Sequence, residues 1–448
     1  MTPREELGYG LDALVIFRSL QQDPVIRALM QFCHTDPDNT PAQIRFYSAM
    51  VAALYDKEDD LTSYLERIVL QHENIYVRRV GAGESVSDNM CKCLQTELKL
   101  LSRIAMLTPA QVQAEMQTQI PLPCWQTHPT DLYTLYQQRV AEISRHGYGI
   151  YAQYHMFTVD GGGELLPVQY PDPICLEKMV GYERERKIVV ENTRALLKGN
   201  YASNVLLAGD AGTGKSATVK AIANAFQKDG LRLIELNKDQ LRYIPQLMDH
   251  LCQNPLKFIL FIDDLTFSED DPNFGTLKAM LEGSAAARMK NTVIYATSNR
   301  RHLVKETFDD GSDKHQNDTV QERISLSERF GITVTYSRPQ KDLYLEIVHA
   351  LAQQAGLSMD TKELDAKAEQ FALQKSGRSA RAAKQLIDQL LFRCRIQETS
   401  GGWIEVAEAL RFCHSGCFQC RGRIIPCVAE GGICLIAVCQ PAPEVRQH

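Results

Sequence analysis

The chain has 448 residues, of which 44% are hydrophobic and 23% are charged. This composition is ordinary for a soluble globular protein, and the length suffices for about three domains at the usual ~150 residues each. The net charge, 49 − 55 = −6, gives no overall sign of a nucleic-acid or anionic-membrane partner.

No run of the sequence approaches the ~20 apolar residues that cross a bilayer. The first residues contain no apolar stretch long enough for a signal-peptide core. We therefore expect a cytoplasmic protein with no membrane partner. In that compartment the thirteen cysteines should be reduced thiols rather than disulfides.

Residues 1–157 carry apolar side chains at helical spacing, for example over 11–20, 42–54 and 94–106. They show no catalytic constellation, so we predict a helical accessory domain. Residues 158–175 follow as a predicted linker, because they contain Asp160-Gly-Gly-Gly163 and three prolines.

From residue 176 the pattern changes to alternating strands and helices. Fully apolar strands in such an alternation indicate a parallel sheet that is covered on both faces. We therefore predict an α/β domain with a five-stranded parallel sheet over residues 176–338, followed by helices over 339–395. The predicted strands are 205–208, 231–236, 258–262, 292–296 and 332–336, and a helix is predicted over 183–197 before the first of them.

A phosphate-binding loop is predicted directly after the first of these strands. Gly209-x-x-x-x-Gly214-Lys215-Ser216 stands between an apolar strand and a helix, which is the context that a P-loop requires. Its glycines leave room for backbone N–H groups to surround a phosphate. Lys215 supplies charge to the β- and γ-phosphates, and the Ser216 hydroxyl can bind Mg²⁺. The predicted nucleotide-binding residues here are Gly209, Asp210, Ala211, Gly212, Thr213, Gly214, Lys215, Ser216 and Ala217.

Polar side chains end two later strands of the predicted sheet. Asp263 and Asp264 follow the apolar run 258–262, and Asn299 closes the next strand. Ligands bind at the carboxyl edge of such sheets. Asp263 is therefore predicted to hold Mg²⁺ opposite Ser216, and Asp264 to orient and deprotonate the attacking water. Asn299 is placed to hydrogen-bond the γ-phosphate or that water.

In this order the motifs resemble the Walker A, Walker B and sensor elements of AAA+ ATPases. The resemblance extends in particular to the bacterial DUF815 group of these ATPases, and it spans residues 175–395. The matching stretches are Val180-Gly-Tyr-Glu183, Leu231-Arg-Leu-Ile-Glu235, Phe258-Ile-Leu-Phe-Ile-Asp-Asp-Leu265, Tyr295-Ala-Thr-Ser-Asn-Arg-Arg-His-Leu303 and Leu326-Ser-Glu-Arg-Phe-Gly331.

The resemblance implies roles that the residues alone do not. It makes Asn299 the polar sensor, Arg329 an arginine finger that reaches a neighbouring subunit, and Arg381 a second sensor, with Arg378 as the competing choice. It places Val180 and Gly181 at the adenine, and it makes residues 339–395 a helical lid.

The function implied is that of a Mg²⁺-dependent, ATP-hydrolysing homo-oligomer that remodels or loads a protein or nucleic-acid complex. The alternative is an ATP-binding regulatory switch or scaffold with little turnover.

Two features depart from the usual AAA+ pattern. The second acidic residue of Walker B is Asp264 rather than glutamate, so slow turnover or a different base, Glu269 or Glu282, stays open. After the second strand, Asn237 to Pro245 stand where threading machines carry an aromatic-glycine pore loop. This disfavours a polypeptide-threading activity.

The last residues, 396–448, form a cysteine-rich tail that we predict to be poorly ordered. Its Cys413-His-x-x-Cys417-x-x-Cys420 segment could hold Zn²⁺. However, the second Cys-x-x-Cys of a zinc ribbon is missing, and only single cysteines follow at 427, 434 and 439. An unstructured tail is therefore favoured over a metal site.

Overall fold

The computed structural model describes residues 2–116, 118–266, 272–282, 290–299, 329–375 and 377–394, together with the backbone of a hairpin at 424–429 and 432–437. These residues divide into two compact units, which are described separately. The first unit comprises residues 1–346 with 379–381, and the second comprises 347–378 with the residues from 382 onward.

The first part of the chain is mostly helical, as predicted. Its helices enclose a core of their own, in which Leu11, Phe17, Leu98 and Tyr136 are almost completely buried. The helices are α1 (Pro3–Asp12), α2 (Pro24–His34), α3 (Thr40–Tyr55), α4 (Leu61–Leu70), α5 (Ile75–Gly81), α6 (Asp88–Ala105), α7 (Pro109–Gln113), α8 (Leu132–Ala141), α9 (Ile143–His146) and α10 (Ile150–Gln153).

A buried carboxylate joins two distant parts of this helical region. Glu97 on α6 is only 5% exposed. Its oxygens accept hydrogen bonds from the backbone N–H groups of Val15, Ile16 and Phe17 at 2.8–3.1 Å. Those N–H groups lie in the irregular segment after α1, where no helix partner satisfies them. Glu97 therefore fixes this segment against α6.

The α/β part contains one sheet whose strands run parallel except for the edge pair β1–β2. In spatial order the described strands are β2-β1-β4-β5-β6-β3-β7. Strands β3 and β6 are buried along their whole length, which means that both faces of the sheet centre are covered. The strands are β1 (Met156–Val159), β2 (Leu165–Pro167), β3 (Val205–Gly209), β4 (Leu231–Leu236), β5 (Lys257–Ile262), β6 (Thr292–Ser298) and β7 (Ile332–Tyr336).

The α/β class is confirmed, but the predicted number of five strands is wrong, because two further strands extend one edge of the sheet. Strand β1 pairs in parallel with β4, and β2 folds back on β1. The segment Asp160-Gly-Gly-Gly163 is the turn of this hairpin, where the Asp160 side chain accepts hydrogen bonds from the N–H groups of Gly162 and Glu164. Residues expected to be a linker therefore belong partly to the sheet.

Within the described residues, four helices accompany the sheet. They are α11 (Glu183–Leu197), which has the bounds that the sequence predicted, α12 (Lys215–Phe226), α13 (Ile244–Leu251) and α14 (Pro272–Glu282). Among the described helices, none is long and apolar enough to span a membrane.

The helices predicted after residue 339 are present as Lys341–Gln354, Thr361–Gln374 and a helix over 380–394. Within the second unit, Leu364, Ala368 and Phe371 are buried. Part of the tail forms an antiparallel hairpin, Ile424–Ala429 with Gly432–Ala437, in which Cys427 is opposite Cys434. The sequence predicted a poorly ordered tail, and this pairing of two strands was not predicted. Cys413, Cys417, Cys420 and Cys439 lie outside the described residues.

Replacing Glu97 by leucine should destabilise the helical region. The change leaves three backbone N–H groups without their acceptor, and each unsatisfied buried group costs about 1–3 kcal/mol. We expect the free energy of unfolding to fall by about 3 kcal/mol. Urea unfolding can be followed by the fluorescence of Trp125, which is 6% exposed, in a Trp403→Phe background.

The matched control is Gln95→Leu, which changes an exposed position of the same helix. It should shift the urea midpoint little. Equal effects of Glu97→Leu and Gln95→Leu would contradict the anchoring role of the carboxylate.

Candidate nucleotide-binding site

The P-loop connects the buried strand β3 to helix α12. Gly209, Gly212 and Gly214 have φ angles of 133°, 77° and 94°, in the region that favours glycine. A Cβ atom on Gly209 would lie 2.0 Å from the backbone oxygen of Tyr336 on β7. The neighbouring strand therefore requires a glycine at this position, in addition to the phosphate contact that the sequence predicts for it.

Lys215 is only 5% exposed, at the first position of α12. Its Nζ donates hydrogen bonds to the backbone oxygens of Gly209 and Asp210 at 2.9 and 2.7 Å, and to Oδ1 of Asn299 at 3.1 Å. Burial lowers the pKa of Lys215, and the carboxylates of Asp210, Asp263 and Asp264 oppose this shift. The ammonium group is thus held inside the loop among carbonyl and carboxylate oxygens.

The two predicted Mg²⁺ ligands are in direct contact. Ser216 Oγ donates a hydrogen bond to Asp263 Oδ1 at 2.6 Å. A hydroxyl and a carboxylate beside a phosphate loop are the oxygen donors that Mg²⁺ prefers, since this ion usually takes only one or two protein ligands and completes its shell with phosphates and water. The residues present therefore fit the ion. Among the described residues, no group of three or more His, Cys, Asp or Glu side chains could hold a metal by itself.

Asp264 occupies an unusual backbone conformation. Its φ of 53° lies in the left-handed region, which non-glycine residues rarely adopt and which clusters at functional sites. Its backbone N–H donates to Thr297 Oγ1 at 2.9 Å. Its carboxylate accepts a hydrogen bond from Asn299 Nδ2 at 2.6 Å. These contacts place the side chain at the same edge of the sheet as Lys215.

Asn299 joins the loop to the carboxylates. Its Oδ1 accepts from Lys215, and its Nδ2 donates to Asp264. An ammonium can only donate, and an ionised carboxylate can only accept, so these two partners determine the orientation of the amide. Asn299 can therefore respond to any change at either partner.

Thr297 is a site residue that the sequence analysis missed. Its Oγ1 donates to Asp263 Oδ1 at 2.5 Å while it accepts from the backbone N–H of Asp264. The residue is 2% exposed. In the sequence it follows the predicted strand 292–296 directly, and nothing in the strand pattern itself indicates a role in the site. The available signal was a polar side chain two residues before Asn299, on the strand next to the one that carries the carboxylates.

The segment predicted to line the adenine site lies beside the P-loop. Gly181 has a φ of 76°, and its backbone oxygen accepts a hydrogen bond from the buried guanidinium of Arg186. Val180 is half-buried. A Cβ atom on Gly214 would meet the Met179 methyl group at 3.9 Å. Met179 therefore lies against the P-loop, and Val180 and Gly181 come directly after it in the chain.

Of the two arginines considered for the second sensor, Arg381 contacts the P-loop. Its backbone N–H donates to the Gly212 oxygen at 3.1 Å. Its charge also contributes to the lowered pKa of Lys215, after burial. Arg378, in the second unit, forms a bidentate ion pair with Glu369 at 3.0 and 2.6 Å.

Arg329 lies at the end of the sheet opposite its own P-loop. It comes just before β7, which runs parallel to β3. The P-loop follows the carboxyl end of β3, whereas Arg329 precedes the amino end of β7. Five residues of strand span about 17 Å. The side chain is therefore too far away to complete the site of its own chain.

The alternative bases cannot be compared with Asp264. Glu269 lies outside the described residues, and for Glu282 only the backbone is described.

Comparison with known proteins identifies a family. Residues 152–394 match the family described as protein of unknown function (DUF815). Among solved structures, the chain is similar to the Thermotoga maritima RuvB Holliday junction branch migration motor, with 16% identity and a TM-score of 0.38 over 51% of this chain and 68% of that one. A T158V form of that protein gives 17% identity and a TM-score of 0.37 over the same shares. Similarity at this level assigns no function, and a search of curated proteins finds no match.

Gly209→Ala should destabilise the ligand-free protein, because the new methyl group meets the β7 backbone and the φ angle disfavours alanine. We expect a loss of more than about 2 kcal/mol in the free energy of unfolding, measured with urea and circular dichroism. Gly275→Ala is the control, since a Cβ atom there meets nothing within 4 Å. Inside helix α14 it should be neutral or stabilising by up to about 1 kcal/mol. Equal free energies of unfolding for the two variants would contradict the inference that β7 requires a glycine at residue 209.

Proposed function

This chain belongs to the DUF815 family, and we propose that it is a magnesium-dependent ATPase whose active site lies at the P-loop. The observation that carries the proposal is the hydrogen-bonded chain from Lys215 through Asn299 to Asp264. It joins a phosphate-binding cation, a polar sensor and a carboxylate at one edge of the sheet.

In this proposal, the triphosphate lies against the backbone N–H groups of residues 209–217 at the start of α12. A helix start following such a loop favours bound phosphate, because its free N–H groups and the helix dipole point toward the anion. Lys215 exchanges its contacts with the loop carbonyls for the β- and γ-phosphate oxygens. Arg381, which contacts Gly212, adds a second positive charge near the same phosphates.

Ser216 and Asp263 would hold the magnesium ion, and Thr297 fixes the Asp263 carboxylate. When bound, the ion neutralises charge on the β- and γ-phosphates. Asp264 accepts the proton of the attacking water, and Asn299 orients the carboxylate or the water. The remaining partner is Arg329 of a neighbouring copy, which stabilises the charge of the transferring phosphoryl group.

The family resemblance supports a homo-oligomer that uses this cycle to remodel or load a protein or nucleic-acid complex. A second candidate is an ATP-dependent switch with little turnover. One observation favours it: the short Asp264 side chain is already engaged by Asn299 at 2.6 Å. Such a carboxylate reaches less far toward a water than the glutamate usual at this position.

Asp264→Asn should separate nucleotide binding from hydrolysis. Loss of the general base lowers turnover by about 10²–10⁴-fold, whereas the affinity for a fluorescent ATP analogue should change little. Phosphate release and analogue binding measure the two effects. Asp249→Asn, at an exposed position on α13, is the matched control and should leave both unchanged.

Asp264→Glu distinguishes the two candidate functions. A remodelling ATPase already hydrolyses ATP well with aspartate, so the longer side chain should not raise its turnover. Strongly raised turnover in Asp264→Glu, over a very low parent rate, would identify the switch. Unchanged turnover in Asp264→Asn would remove Asp264 as the base.

A mixing experiment tests the arginine supplied by a neighbouring subunit. Arg329→Ala keeps an intact P-loop but lacks the arginine, and Lys215→Ala keeps the arginine but lacks the P-loop lysine. Each variant alone should lose about 10³-fold or more in phosphate release. A mixture should recover activity, because assemblies containing both place an intact Arg329 against an intact P-loop.

Size-exclusion chromatography of the mixture provides the control for assembly. Mixed oligomers that stay inactive would show that Arg329 does not act across the interface. Full activity of Arg329→Ala alone would show that it is not needed at all.

A further inference from the structure

A cavity lies away from the P-loop, between helices α8–α10 and the amino end of β4. Its volume is about 400 Å³. Basic side chains dominate the lining. They are Arg139, Arg145, His146, His155, Lys228 and Arg232. Such a concentration of basic groups is unexpected in a chain with a net charge of −6.

Arg139 is the side chain in this cavity whose hydrogen bonding is incomplete. Its Nε is buried and has no hydrogen-bond partner in the described part of the chain. Burial lowers the pKa of Arg139. A buried guanidinium nitrogen without an acceptor is costly, since it has lost water and gained nothing in exchange.

Arg232 brings a second positive charge next to Arg139. It is 5% exposed, and its guanidinium donates to four backbone oxygens, those of His146, Tyr151, Gln227 and Leu231. Burial, and then the charge of Arg139, lowers the pKa of Arg232 to about 10. Carbonyl oxygens satisfy its hydrogen bonds but do not neutralise its charge.

Carboxylates lie near the cavity, but they serve other partners. Glu142 contacts His146 at 3.1 Å and Arg145 at 3.8 Å, and Asp229 also contacts Arg145 at 3.8 Å. Within the described ranges, no carboxylate forms an ion pair with Arg139 or Arg232. The guanidinium groups of Arg139 and Arg232 therefore line the same cavity, and neither forms an ion pair with a described carboxylate.

We propose that this cavity binds a phosphorylated small molecule of about nucleotide size, with its phosphate at Arg139. A guanidinium fork matches phosphate geometry, so the Arg139 guanidinium can donate hydrogen bonds to phosphate oxygens. The volume falls within the ~300–1,000 Å³ of typical small-molecule sites. Tyr154, a half-buried side chain in the lining, supplies a ring against which an uncharged part of the ligand can pack.

A ligand in this cavity would lie between the helical region and strand β4. Arg232 already ties α9 and α10 to β4 through the oxygens of His146 and Tyr151. A phosphate at Arg139 on α8 offsets the repulsion between Arg139 and Arg232. Binding therefore strengthens the attachment of the helical region to the sheet. This inference does not depend on ATP hydrolysis at the P-loop.

The test uses the full chain in a Lys215→Ala background, which weakens phosphate binding at the P-loop. Inorganic pyrophosphate and AMP are titrated by calorimetry, and the thermal midpoint is measured in chloride buffer with and without each probe. We expect binding and a raised midpoint. Arg139→Gln should weaken binding of the probe at least tenfold and remove the rise.

The same variant should not lower the midpoint in chloride alone, because Arg139 loses no partner and Arg232 is freed from a like charge. A merely structural arginine would instead lower it. Arg45→Gln, at an exposed position on α3, is the control and should leave binding intact.

Three results would overturn the proposal. The first is binding of pyrophosphate and AMP that Arg139→Gln leaves unchanged. The second is a lowered midpoint of that variant in chloride. The third is Arg139-dependent binding of a single-stranded oligonucleotide without any binding of pyrophosphate or AMP, which would make the cavity part of a nucleic-acid surface.

Discussion

The site depends on the parallel alignment of three strands at the centre of the sheet. Ile262 on β5 pairs with Ala296 on β6, and Ala208 on β3 pairs with Ser298 on β6. The chain leaves β3 after Gly209, β5 after Ile262 and β6 after Ser298, at the same edge of the sheet. The register of the strands therefore brings the P-loop, the two aspartates and Asn299 to one place. A shift of register by one residue would turn Thr297 away from Asp263 and break the contact.

Hydrogen bonds at that edge connect the Lys215 ammonium group to the Asp264 carboxylate through the amide of Asn299. Lys215 and Asp264 are held at opposite ends of one amide, and Asp263 is held between two hydroxyl groups. In the proposed function, a phosphate entering the site changes the partners of Lys215 first. Lys215 is the buried end of this set, at 5% exposure, whereas Asp264 and Asn299 are exposed. On that proposal the amide of Asn299 then loses its bond to Lys215, and its bond to Asp264 links the change to the carboxylate. The left-handed backbone of Asp264 keeps its carboxylate directed at this amide.

The sequence was sufficient for the parts that depend on local patterns. The alternation of strand and helix patterns located strands β3 to β7, and α11 has the predicted bounds. The P-loop was recognisable from its spacing and from the strand and helix patterns on either side of it. Strands β1 and β2 were missed because they have four and three residues and no continuous apolar run. Strand β1 is held by pairing with β4, which is distant in the sequence, and β2 by pairing with β1.

The missed site residues share a similar cause. Thr297 has its role only because β6 lies beside β5, and the importance of Gly209 for packing comes from Tyr336 on β7. The basic cavity joins Arg139 to Arg232, which no local pattern relates. Contacts between distant residues of this kind are invisible to a scan along one chain.

The dependence of Gly209 on Tyr336 also has a consequence for synthesis. The Tyr336 oxygen accepts the N–H of Asp210 at 3.0 Å, and the Asp210 carboxylate accepts the N–H of Arg338 at 2.8 Å. Strand β3 also pairs with β6 and β7, both much later in the chain. A ribosome must therefore translate past residue 338 before the loop acquires its final shape. Until then a nascent chain carries the complete P-loop motif without the neighbouring strand that shapes it, so nucleotide binding should begin only after the sheet has closed.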